Sequence, residues 1–204
     1  RRSSDLAVLQ DIEARRARRE RFALRIDAQG ALSVTPPRET GWSADGFHIA
    51  MRPDPRFLIF GKGPEAAYFS GLVAASGYDH LLLSPEKTTL EIGRSMGCAT
   101  RAITTARLPD DQQIDDRTAV VLFFHDHDWE PPILRDALAT PAFYIGAQGS
   151  RRVAQTRRHS LAALGLDEEA LARLREAIGL IPSTRDARVL AVSVLAEVLA
   201  AAGA

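Results

Sequence analysis

The chain has 204 residues, of which 46% are hydrophobic and 25% are charged, an ordinary composition for a globular protein. Lys and Arg together number 26, as do Asp and Glu, so no general attraction to nucleic acid or to an anionic membrane is expected. No apolar run approaches the roughly 18 residues that a membrane-spanning helix needs. The single cysteine, Cys98, cannot form a disulfide within the chain, which favours a reducing cytoplasm.

The first 52 residues predict a small α+β appendage. Apolar residues recur at helical spacing over 5–21, which predicts a helix. Apolar and polar residues then alternate around a glycine over 21–34, which predicts a β-hairpin. The stretch 35–46 is rich in proline and glycine and is expected to be a loop, with one short strand after it. We therefore place the domain boundary between residues 52 and 53.

Residues 53–204 predict an α/β domain, because apolar strand-like runs alternate with helical stretches. The strands are apolar without interruption, which indicates burial on both faces and hence a mostly parallel, doubly wound, Rossmann-like sheet. Ligands of such sheets bind at the carboxyl ends of the strands, so the residues after each strand are the candidates. The predicted strands are 57–60, 80–84, 101–104, 119–124 and 142–145. The predicted helices are 65–76, 87–96, 132–139, 150–164, 168–177 and 184–202.

A glycine turn follows the first predicted strand and has the spacing GxGxxA of a dinucleotide-binding fingerprint. Gly61 permits the tight turn, Gly63 lets a phosphate approach the backbone, and Lys62 adds a positive charge. The alternative is a turn that only packs the strand against the helix. The second strand ends in Ser84, where a nicotinamide-binding domain usually has an acid for the ribose, so a nicotinamide site is disfavoured.

Four titratable residues follow the fourth predicted strand: His125, Asp126, His127 and Asp128. In an extended chain the two histidines share one side and the two carboxylates share the other. Such a cluster can shuttle protons or ligate a metal, and the alternative is a polar strand end that caps the next helix. We expect the cluster to belong to the site.

The segment YIGAQGSRR follows the fifth predicted strand. Gly146 and Gly149 free the backbone, and Ser150 can cap the next helix. Arg151 and Arg152 then lie in the first turn, where cations oppose the helix dipole. A bound anion would resolve that conflict, because backbone amides and guanidinium groups would converge on it. The segment therefore predicts a phosphate site.

The last helix is apolar almost all round, which predicts burial in the core or at a subunit interface. From Val189 onward its single charged residue is Glu197, and a buried carboxylate needs a partner. Glu197 is therefore a further candidate.

Read in chain order, the GxGxxA turn, HDHD, YIGAQGSRR, IGL and AVSVLAE resemble the C-terminal Rossmann-type domain of the xanthine dehydrogenase accessory proteins, the XdhC/CoxI family. The resemblance covers residues 53–202. It implies a chaperone that binds the molybdenum cofactor, protects molybdopterin during sulfuration and delivers it to xanthine dehydrogenase or another molybdenum hydroxylase. Binding and insertion, rather than catalysis, are the implied activity. A homodimer and a cysteine desulfurase partner are also implied.

The resemblance assigns the anionic part of the cofactor to the two glycine segments, and the pterin or metal end to the histidine cluster. No catalytic residue and no metal ligand are assigned. The candidate cofactor-binding residues are Gly61, Lys62, Gly63, His125, Asp126, His127, Gly146, Gly149, Ser150, Arg151, Arg152 and Glu197.

The chain departs from the family pattern at several positions. Pro64 stands where the family turn has a histidine, and Ser84 stands where its strand ends in Asp. The glycine-rich N-terminal region of the family is not recognisable, so Cys98 lies in a different context. Two other functions remain open: an NAD(P)-binding oxidoreductase, and a degenerate Rossmann interaction module. The departures at Pro64 and Ser84 favour the second, as does Ser183, which lies in a segment that lacks the glycine of the family pattern.

Overall fold

The structure is a computed structural model that describes residues 3–125 and 128–203. The chain divides into two compact units, Arg1–Asp54 and Pro55–Ala204, and each carries its own sheet. Within the described ranges, no helix has both the length and the apolar character needed to cross a membrane.

The first unit is a helix followed by an antiparallel sheet of order β2-β1-β4-β3. The predicted hairpin is β1 and β2, in which Ala23 pairs with Thr35 and Ile26 with Leu32. The stretch expected to be a loop contains a further strand, β3, whose Trp42 lies opposite Phe47 of β4. The bounds are α1 Ser3–Ala17, β1 Phe22–Ile26, β2 Leu32–Thr35, β3 Gly41–Ser43 and β4 Gly46–Met51.

Helix α1 ends four residues before its predicted end. The N–H of Glu20 donates to the carbonyl of Arg15 at 2.9 Å, around Arg19 with φ of 55°. This is a left-handed helix cap, a position that usually takes glycine. An arginine there gives no stop signal in the sequence.

The second unit is a six-stranded parallel sheet of order β10-β9-β8-β5-β6-β7, which confirms the doubly wound α/β prediction. The strands are β5 Arg56–Gly61, β6 Asp79–Ser84, β7 Thr100–Ala102, β8 Thr118–Phe123, β9 Tyr144–Ala147 and β10 Leu174–Glu176. The helices are α2 Pro64–Ala75, α3 Lys87–Ser95, α4 Glu130–Leu138, α5 Arg151–Ala163, α6 Glu168–Ala172 and α7 Ala187–Ala201.

Both faces of the sheet are buried. Side chains alternate along β5, so Phe57 and Ile59 pack with α2 and α7, whereas Leu58 and Phe60 pack with α4 and α5 on the opposite face. The chain order reverses between β5 and β8, so the switch point lies between the carboxyl ends of β5 and β8.

The predicted helix 168–177 is wrong in its second half. Helix α6 begins with a cap in which the Asp167 side chain accepts from the N–H of Ala170 at 2.8 Å, and it ends at Ala172. The guanidinium of Arg173 then donates to the carbonyls of Leu138, Thr140 and Ala142 at 2.6, 2.9 and 3.0 Å. These bonds hold the chain beside β9, where strand pairing replaces the helix as β10.

Candidate functional site

A cleft of about 780 Å³ lies at the carboxyl ends of β8, β9 and β10. Its size falls in the range of small-molecule sites, and its position beside the switch point is the usual one for this class of sheet. Each of the three strands contributes the segment that follows it. The lining residues are Phe124, His125, Gln148, Gly149, Ser150, Arg151, Val153, Ala177, Ile178, Gly179, Ile181, Pro182, Ser183, Thr184 and Leu190.

The segment after β9 presents the N-terminus of α5 to the cleft. Ser150 is the cap of this helix, and its Oγ accepts from the N–H of Val153 at 3.3 Å. Arg151 is exposed, lines the cleft and lies in a first turn without an acidic residue. A helix N-terminus together with a guanidinium favours an anion at this end of the cleft. Arg152 is also exposed but is not among the described residues that line the cleft.

A buried ion pair beneath this segment fixes its shape. Arg157 Nε lies 2.9 Å from Glu130 Oε2, and its Nη2 donates to the carbonyl of Gln148 at 2.6 Å. A Cβ on Gly149 would lie 2.9 Å from Val153 Cγ1 and 3.2 Å from Arg157 Nη2. The turn therefore needs glycine, because the backbone passes directly over the side chains of α5.

Sequence reasoning missed both members of this pair, Arg157 and Glu130. The two residues are 27 positions apart and lie on different helices, so no local pattern joins them. The neighbouring Arg158 instead lies 3.4 Å from Glu176 and from Glu168.

The glycine turn after β5 is packed against β8. A Cβ on Gly61 would lie 2.5 Å from the carbonyl oxygen of Phe123 and 2.8 Å from the Cβ of Ala66. This contact explains both the first glycine and the alanine in the third position. Lys62 places its Nζ 5.7 Å from the ring centroid of Trp129, a cation–π contact.

The N–H of Gly63, which was expected to meet a phosphate, bonds to the protein itself. It donates to Thr89 Oγ1 at 2.8 Å and to Glu86 Oε2 at 3.3 Å. The Thr89 hydroxyl also donates to the carboxylate of Glu86. Glu65 lies in the first turn of α2, so both Glu65 and Glu86 place a carboxylate beside this turn. Their negative charge disfavours the binding of an anion there. None of Gly61, Lys62 and Gly63 is among the described residues that line the cleft.

His125 connects the two regions. It lines the cleft with a largely exposed side chain, and its Nε2 lies 3.5 Å from Glu65 Oε1. Asp126 and His127, the next two candidates, lie outside the described residues. Within the described ranges, no group of three or more His, Cys, Asp or Glu side chains could hold a metal ion.

Ser84 and Cys98 are both buried in the interior of the protein. Ser84 is buried, and its Oγ accepts from the N–H of Glu86 at 3.1 Å. This bond closes the turn into α3 without a carboxylate at the strand end. Cys98 is also buried, and this burial raises the pKa of its thiol, which disfavours the reactive thiolate.

Gly146 and Glu197 act in packing around the third segment of the cleft. A Cβ on Gly146 would lie 2.6 Å from Tyr144 Cε1 and 2.7 Å from Ile178 Cγ2. Glu197 is half-buried, accepts from the hydroxyl of Tyr144 at 2.8 Å and accepts from the N–H of Gly179. Neither residue is among the described lining residues.

The chain matches a known protein family. Residues 57–198 match the XdhC Rossmann domain. The chain is 36% identical over 197 residues to the molybdenum cofactor insertion chaperone PaoD of Escherichia coli (strain K12), covering 95% of this chain and 54% of PaoD. It therefore spans about half the length of this curated relative.

A solved structure described as a xanthine dehydrogenase from Bacillus halodurans is also similar. The TM-score is 0.74 at 14% identity, and the match covers 99% of this chain and 66% of that one. Such a likeness at low identity shows the shared fold.

Proposed function

The chain belongs to the XdhC Rossmann domain family, and on that premise we propose that it binds the molybdenum cofactor and delivers it to a molybdenum hydroxylase such as xanthine dehydrogenase. The similarity to a molybdenum cofactor insertion chaperone supports this function. The observation that carries it is the cleft of about 780 Å³, with Arg151 at its rim beside the N-terminus of α5.

The residues of the cleft fit a ligand with a planar ring and a phosphate. Ser150 and Arg151 offer backbone N–H groups and a guanidinium to the phosphate. Phe124, Ile178 and Ile181 offer apolar surface to the ring system. Molybdopterin has both parts, so we assign its phosphate to the Gly149–Arg151 end.

We propose that His125 faces the pterin or metal end of the cargo. Its imidazole can donate a hydrogen bond to an oxygen of the cargo while Glu65 orients the ring from behind. Asp126 and His127 remain proposed members of the same group. The turn of Gly61, Lys62 and Gly63 is assigned a supporting role, because its amide already bonds to Thr89 and Glu86.

The geometry opposes the nicotinamide alternative. A dinucleotide would place its pyrophosphate at the glycine turn, where Glu86 Oε2 already lies 3.3 Å from the N–H of Gly63. Ser84 supplies no carboxylate for the ribose.

Three finer proposals follow from the family. We propose a cytoplasmic location, a cysteine desulfurase that supplies sulfur to the bound cofactor, and a homodimer. Helix α7 is apolar, and its Val192 is exposed to solvent. An exposed apolar side chain of this kind supports a homodimer. Light scattering of the purified protein tests the dimer, and pull-down with a purified desulfurase tests that partner.

The decisive experiment titrates the protein with molybdenum cofactor released from a purified molybdenum hydroxylase, beside a titration with NADPH. We expect cofactor binding without NADPH binding. Arg151→Ala should weaken cofactor affinity by about 1.5–3 kcal/mol, roughly tenfold to a hundredfold, because a charged hydrogen bond to phosphate is lost. Arg152→Ala is the matched control, because this neighbouring arginine is exposed but does not line the cleft. An absence of cofactor binding would refute the function, and an equal loss in both variants would refute the assignment to Arg151.

A further inference from the structure

Helix α7 carries two polar side chains that bond to the backbone of the segment after β10, which forms one wall of the cleft. Ser193 and Glu197 are four residues apart, so they lie on the same face of the helix. Ser193 Oγ accepts from the N–H of Ile181 at 2.6 Å, and Glu197 accepts from the N–H of Gly179. The carbonyl of Ser193 accepts a third N–H, that of Leu180, at 3.4 Å. Three successive backbone amides after β10 are therefore bonded to one helix.

The segment held in this way has an unusual backbone. Ala177 has φ of 56° and Gly179 has φ of 112°, both in a region that side-chain-bearing residues rarely adopt. A Cβ on Gly179 would lie 2.8 Å from Ser193 Oγ. Such backbone persists where the surrounding structure determines it, and here Ser193 and Glu197 supply the determining contacts.

Glu197 also ties this segment to the sheet. Its Oε1 accepts from the hydroxyl of Tyr144 in β9. Burial, together with the charge of Glu197, raises the pKa of Tyr144, so the phenol keeps the proton that it donates. One carboxylate thus connects β9, α7 and the segment after β10, which explains the single acid on an apolar helix.

We propose that Ser193 and Glu197 are positioning residues of the cleft, which act on the bound cargo through residues 177–181. Both lie outside the described lining, whereas Ile178, Gly179 and Ile181 line the cleft directly. This assignment rests on the proposed cofactor binding. It gives Glu197 an indirect role in place of the direct contact that the sequence suggested.

The test combines cofactor affinity with amide hydrogen exchange in Ser193→Ala and Glu197→Gln. Ser193→Ala removes the acceptor for Ile181, and Glu197→Gln removes one of two carboxylate acceptors. We expect faster exchange at residues 179–181, and a cofactor Kd raised by about two- to tenfold for each lost bond. Exchange in β5 and β8 should stay slow, which separates a local change from general loss of stability. Ala196→Ser is the matched control, because Ala196 is an exposed neighbour on the same helix.

The exchange measurement needs no ligand, so it remains informative if the wild-type protein does not bind cofactor. In that case the proposed function fails while the hold on residues 179–181 is still tested. Unchanged exchange in both variants would overturn the positioning role. Faster exchange with unchanged affinity would also overturn it, because the hydrogen bonds that hold residues 179–181 would then have no effect on cofactor binding. Weaker affinity with unchanged exchange would overturn it in favour of direct contact.

Discussion

Arg157 of α5 and Glu130 of α4 form an ion pair in which Nε lies 2.9 Å from Oε2 and each side chain is 1% exposed. The same guanidinium donates to the carbonyl of Gln148, which follows β9 and lines the cleft. The pair therefore links the packing of two helices to the position of the turn that we propose to bind an anion.

Arg157→Ala should lower the free energy of unfolding by about 3–5 kcal/mol, because it leaves the Glu130 charge buried without its guanidinium. Urea denaturation measures this loss. Replacing both residues by Met removes both charges and should recover most of the stability. The double variant should nevertheless bind cofactor more weakly, because the carbonyl of Gln148 loses the hydrogen bond from Arg157. A loss below 1 kcal/mol in Arg157→Ala would contradict the importance of the pair.

Gly149→Ala should destabilise the protein by about 1–3 kcal/mol, since the new Cβ would lie 2.9 Å from Val153 Cγ1. It should also reduce cofactor affinity, because the turn would have to move away from α5. Thermal denaturation and the cofactor titration give the two readouts. Gly41→Ala is the control, because no atom lies within 4 Å of a Cβ there. Equal stability of the two variants would show that the turn tolerates a side chain.

Gly179→Ala and Ser193→Ala should not be additive. The new Cβ in the first variant meets Ser193 Oγ at 2.8 Å, and the second variant removes that atom. We expect the double variant to be more stable than the sum of the single losses by at least about 0.5 kcal/mol. Part of the Gly179→Ala loss should persist, because φ of 112° remains strained for alanine. Strict additivity in a double-mutant cycle would mean that the segment shifts away from α7.

Asp136 should contribute stability that disappears in acid. Burial alone would raise the pKa of its carboxyl, but hydrogen bonds from Arg107 and Arg135 outweigh burial and keep the pKa below its ordinary value of 3.8. A lowered folded-state pKa means that the contribution is complete above pH 3.8 and is lost as the pH falls through the folded value. Urea denaturation of the wild type and Asp136→Asn from pH 6 to pH 2 checks this. The two curves should converge in acid, and a constant gap would contradict the pKa argument.

The parallel sheet could be predicted because its strands are apolar without interruption. The predicted strand beginning at Phe57 starts one residue inside β5, and that beginning at Ala119 starts one residue inside β8. Strand β10 could not be predicted, because three residues of pairing after Arg173 carry too little pattern to outweigh a helical sequence. The end of α1 was missed for a related reason, since its cap at Arg19 uses a residue without turn preference.

The sequence predicted two of the segments that line the cleft, but it did not predict their contacts. Strand order brought His125 and Gly149–Arg151 to one cleft, because the carboxyl ends of β8 and β9 are neighbours. The protein's own bond from Gly63 to Glu86 spans 23 residues, and that from Gly179 to Glu197 spans 18. Such distant hydrogen bonds depend on packing, so spacing alone could not show whether an amide is open to a ligand.

Arg173 is exposed, but its hydrogen bonds to three carbonyl groups affect a surface of the protein that lies at a distance from it. They fix where β10 begins, and β10 pairs with β9 through three residues. A slip of one position would turn the side chains of β10 to the opposite face and shift the segment after it, which includes Ile178. An alanine scan that reads out cofactor binding would therefore score Arg173 as part of the binding site. Its effect would come from strand alignment, and no contact with the cargo would be needed.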